Sequence, residues 1–122
     1  MSFFISDTAK VSDTAKVCDI AIIEGNARIS GSAMVSEYAA VYDNAHIGDK
    51  ALVTDNAWIR GSAHVMGNAR VHGNAMVSGD AWVCGNAKIS GNVVVRGPTI
   101  LEGDVTISRG WIRDVHWWGE IP

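Results

Sequence analysis

The chain has 122 residues and a formal charge of −3 from ten basic and thirteen acidic side chains. That length suits one domain with a modest core, and charge spread this evenly leaves no basic tract for a nucleic-acid polymer. No apolar run approaches the roughly 18 residues needed to span a bilayer, Met1 to Ile5 lack a secretory leader pattern, and Cys18 and Cys84 are too few for a disulfide framework, so the expected compartment is a reducing cytoplasm with no membrane partner.

From Ile5 onward the chain repeats every six residues. Alanine recurs at each sixth position from Ala9 to Ala87, and two residues after each alanine stands Ile or Val. This aliphatic series runs from Ile5 through Val65 to Ile107 without a break. The position two further on, from 7 to 103, holds only Gly, Asp or Glu37, often followed by Asn. Gly, Asn and Asp tolerate the backbone angles of tight turns. Residues two apart on an extended strand share a face, so the Ala and Ile/Val columns point one way and their neighbours the other. No 3.6-residue stripe exists to support a helix. A strand of about four residues is unstable alone, and stacking such strands into coils pairs each backbone with the next and closes a dry interior.

The pattern resembles the hexapeptide-repeat family of left-handed parallel β-helices over residues 3–108. The resemblance implies an all-β solenoid in which three hexads make one triangular coil of eighteen residues, with about six coils here. At about 4.8 Å per coil the prism is roughly 29 Å long. The left hand rests on the resemblance alone, since the general crossover rule favours the right. Residues 1–108 form the expected solenoid and 109–122 a short Trp-rich tail that caps it. Phe3 is placed to plug the N-terminal end. At the other end Thr99, Val105 and Trp111 fall in the alanine column by counting, and Arg113 interrupts the aliphatic one.

Eighteen residues per coil stack the outward side chains into columns. The first face carries Lys10, Arg28, His46, His64, Trp82 and Ile100. The second carries Lys16, Met34, Leu52, Arg70, Lys88 and Thr106. The third carries Phe4, Ile22, Ala40, Trp58, Met76 and Val94, with no polar member. A continuous apolar stripe on a small domain marks an interface, so the expected partner is a second copy of the chain. The resemblance implies a trimer, with a dimer, or the tail covering the stripe within one chain, as the competitor.

Many members of the resembled family are acyltransferases that use a coenzyme A thioester and a histidine base at an intersubunit cleft. His46 and His64 are the candidates here, stacked on adjacent coils, and adjacent imidazolium charges should push at least one pKa down. The repeat carries no inserted loop to shape a cleft, so the leading expectation is a non-catalytic oligomeric scaffold or binding module without a cofactor. A third alternative is capture of a small anionic ligand or nucleotide between subunits by Arg60, Arg70, His72, Arg96, Trp117 and Trp118. No metal site is expected, because two histidines without a third ligand hold a metal poorly. The corner aspartates are turn formers first.

Overall fold

The computed structural model describes residues 4–12, 14–108, 110–113 and 116–118, with the side chains described up to 112 except those of 13 and 109. Phe3 therefore lies outside the described residues, as do the side chains of Trp117 and Trp118. Among the described residues the chain is all strand and turn: twenty short strands, β1 (Phe4–Ile5) to β20 (His116–Trp118), form three parallel sheets. We call sheet A the one that begins with Phe4 and runs through Ile22, Ala40, Trp58, Met76 and Val94 to Trp111. Sheet B runs from Lys10 through Arg28, His46, His64, Trp82 and Ile100 to His116. Sheet C runs from Lys16 through Met34, Leu52, Arg70 and Lys88 to Thr106. The chain is a parallel β-solenoid of about six coils, and the three outward columns are those that period six dictates.

The alternation of side chains sets the core. Every alanine from Ala21 to Ala87 in the repeat column is buried, as is every Ile or Val from Ile23 to Val95 two residues later. Alanine fits where the backbone approaches the next wall, and the branched residues fill the middle. Where the alanine column changes, Val93, Thr99 and Val105 are equally buried. Thr99 keeps its hydroxyl satisfied by donating to the Arg96 carbonyl at 2.8 Å, which removes the cost of a polar group in a dry interior.

The corners need a left-handed residue. Gly25 has φ +68° and a Cβ there would meet the Asp43 backbone at 3.0 Å, so glycine suits both the angle and the space. Where Asp stands instead it compensates: Asp19, Asp43, Asp49 and Asp55 have φ between 57° and 61°, and each accepts the corner N–H of the next coil through Oδ2 at 3.0–3.1 Å. Glu37, at φ 61°, is longer and lacks the short side chain that makes this contact easy, and it stands in one corner column with Asp19 and Asp55. Glu37→Gly should therefore stabilise the fold by about 1 kcal/mol, read as a higher urea midpoint at fixed protein concentration. An unchanged or lower midpoint contradicts the strain.

The C-terminal end departs from counting by six. Trp111 pairs with Val94, seventeen residues away, and His116 with Ile100, sixteen away. One residue is missing from the hexad after Ile107, so Trp111 is not in the alanine column. It points outward, 68% exposed, and Ile112, paired with Val95, packs against the core in the aliphatic column where counting put Arg113. Strands β19 (Trp111–Arg113) and β20 thus add to sheets A and B beyond the sixth coil.

Candidate functional site

Sheet B brings the two candidate histidines together. Their rings lie 5.5 Å apart between centroids, and His64 stacks flat on Trp82 at 4.7 Å. His64 Nδ1–H donates to the Ser62 carbonyl at 3.0 Å, since a carbonyl can only accept, which leaves Nε2 as its free lone pair. His46 turns the other way. Its Nε2 sits 3.2 Å from Ser30 Oγ, beside Gly48, where a Cβ would be in ordinary contact with the ring at 3.6 Å and slightly tight against the Ser30 hydroxyl at 3.3 Å.

Desolvation, the neighbouring His64 and then Arg28 hold the His46 pKa below the ordinary imidazole value, against a smaller opposing pull from Asp49. A base whose folded pKa is depressed binds its proton more readily when unfolded. Stability is therefore complete above the unfolded value near pH 6.5 and declines as pH falls through it toward the folded value. His46→Gln should remove this part of the decline, measured as the difference in urea midpoint between pH 7.5 and pH 5. A variant with the same pH slope as the parent excludes His46 as its source.

The proposed anion ligands do not assemble within one chain. Arg60 borders sheet A, in an open recess of about 460 Å³ lined by Glu24, Gly25, Tyr42, Asp43, Trp58 and itself. Arg70 and Lys88 lie on sheet C, in a second recess of about 330 Å³ shared with Asn68, Asn86, Asp104 and Thr106. His72 is not among its lining residues, because it leaves the strand on the far side of buried Val71. Arg96 is two coils beyond Arg60 and lies over the Trp111 ring at 5.6 Å, a cation–π contact. Among the described residues no group of three or more His, Cys, Asp or Glu gathers as a metal site. Cys18 and Cys84 are free thiols, and burial followed by the Glu102 charge pushes the Cys84 thiol up, away from nucleophile character.

Sheet A is the apolar face. Phe4 is 54% and Trp58 40% exposed, Ile22, Met76 and Val94 are half-buried, and Ala40 is buried. The column therefore has a dip at Ala40, between Ile22 and Trp58. Trp111 extends it by one coil, a member that counting by six conceals; the signal was the five-residue spacing from Ile107 to Ile112. Tyr42 meets Trp58 edge-on at 5.8 Å, which fixes the indole at the rim of the larger recess.

These features define a parallel β-solenoid of hexapeptide repeats. Residues 69–85 match a family model described as the YdcK Beta solenoid repeat. Neither the curated proteins nor the solved structures give a match to the chain.

Proposed function

We propose that this chain is a self-associating β-solenoid acting as a non-catalytic scaffold or binding module, docked to a further copy through sheet A. The observation that carries this reading is the contrast between columns. Sheets B and C display Lys10, Arg28, Lys16, Arg70 and Lys88, whereas the sheet A column from Phe4 to Trp111 contains no charged side chain. Burying such a column is the usual way for a small domain to remove exposed aromatic surface from water. Two free thiols on different sheets favour a reducing, cytoplasmic setting.

The test is solution mass. Sedimentation velocity over a concentration series should give more than one chain per particle for the parent and one for Trp58→Glu. Thermal unfolding with coenzyme A or nucleotides addresses the rival readings, since a ligand bound only to the native state raises the melting temperature. A rise lost in His64→Ala supports an acyltransferase and overturns the non-catalytic reading, whereas one lost in Arg60→Ala supports anion capture over a plain scaffold.

A further inference from the structure

Charge beside the apolar column says how two copies would meet. One residue column flanks it on each coil: Ser6, Glu24, Tyr42, Arg60, Ser78 and Arg96. Glu24 and Arg60 are both exposed, and among the described residues neither side chain has an ion pair or hydrogen bond. They stand one coil below and one coil above Tyr42, about 10 Å apart between backbones, on either side of the Tyr42 ring, and they do not pair with each other within the chain. We propose that sheet A docks on sheet A of a second copy about a two-fold axis that crosses the face along the strand direction at the level of Ala40 and Tyr42. This inference rests on the docking face proposed above and adds its geometry.

Such an axis reverses the order of coils and keeps each column opposite itself. Glu24 then faces the partner's Arg60, and Arg60 faces the partner's Glu24, giving two reciprocal ion pairs from one arrangement. Ile22 comes opposite the partner's Trp58, and the dip at buried Ala40 gives the two indoles room on either side of the axis. A rotation about the solenoid axis, which a three-fold ring uses, keeps coils level and never brings Glu24 to Arg60.

The other charges around the face fit. The Asp19, Asp43 and Asp55 carboxylates are turned along the solenoid onto the backbone N–H of the next coil. Arg96 is taken by Trp111 of its own chain. At the level of the axis on the opposite edge, Tyr38 is 61% exposed and meets its own copy. Glu37 beside it also meets its copy, and that like-charge contact is the one local cost. Five coils overlap, a footprint roughly 24 Å long. That is at the small end of specific interfaces, so complementary charge selects this pairing over others.

The experiment is a charge exchange read by sedimentation velocity, with circular dichroism to show that each variant is folded. Glu24→Arg alone places Arg against Arg, and Arg60→Glu alone places Glu against Glu, so each should dimerise at least about tenfold more weakly than the parent. An equimolar mixture of the two restores both ion pairs across a heterodimer and should return to the parent mass. A mixture that stays dissociated, single variants that associate like the parent, or a three-chain parent particle overturns the two-fold; if Trp58→Glu still dissociates that particle, the docking face itself stands. A parent that remains a single chain at every concentration overturns both proposals.

Discussion

Val65→Asp should fail to fold at neutral pH and show a disordered far-ultraviolet spectrum. Val65 is fully buried in the middle of the sheet B stack, between Ile47 and Val83. A carboxylate there finds only alanine and branched aliphatic neighbours, with no donor to accept from. The unpaired charge costs several kcal/mol even after the group neutralises by shifting its pKa, against a total stability of about 5–15 kcal/mol for a domain. A solenoid has no alternative core, because each coil is stabilised only by the coils beside it. Burial raises the aspartate pKa above its unfolded value near 3.9, so the penalty is smallest below pH 4 and grows as pH rises through that value. Val65→Ala, which only leaves a cavity, should cost about 2 kcal/mol and remain folded. His64→Asp, one residue away but outward, should also fold. A folded Val65→Asp at pH 7 would contradict the inward assignment.

That contrast between residues 64 and 65 was legible in the sequence, for a physical reason. In a stack of short strands the direction of each side chain follows from alternation, and its vertical neighbour follows from counting eighteen, so contacts distant in sequence become arithmetic. His46 below His64 and Trp58 above Ala40 were read in this way. Counting fails where the chain drops a residue. The residue dropped after Ile107 turned Trp111 from an apparent core position into an exposed one and set Ile112 inside. It also fails for contacts that cross columns. Ser30 Oγ lies 3.2 Å from His46 Nε2, sixteen residues away rather than eighteen, and nothing in the period announces that contact.

Trp58→Glu should leave the solenoid folded and abolish self-association. Trp58 points outward and its neighbour Ile59 carries the core contact of that strand. The fold loses only the edge-on packing against Tyr42, about 0.5–1 kcal/mol. Docking of two sheet A faces would bury this residue twice, once from each copy, near the centre of the footprint, where a large aromatic contributes most. A glutamate there is desolvated on docking without a donor opposite it, so the association constant should fall by on the order of a hundredfold or more. Trp82 supplies the control. It is as exposed as Trp58, at 43% against 40%, but it stands on sheet B in the column of Arg28, His46 and His64. If exposed indole in general drove association, Trp82→Glu would dissociate the particle equally. If the sheet A column drives it, Trp82→Glu keeps the parent mass while Trp58→Glu sediments as a single chain. Equal behaviour of the two variants would reject sheet A as the docking face, because the two indoles are equally exposed and stand in different columns.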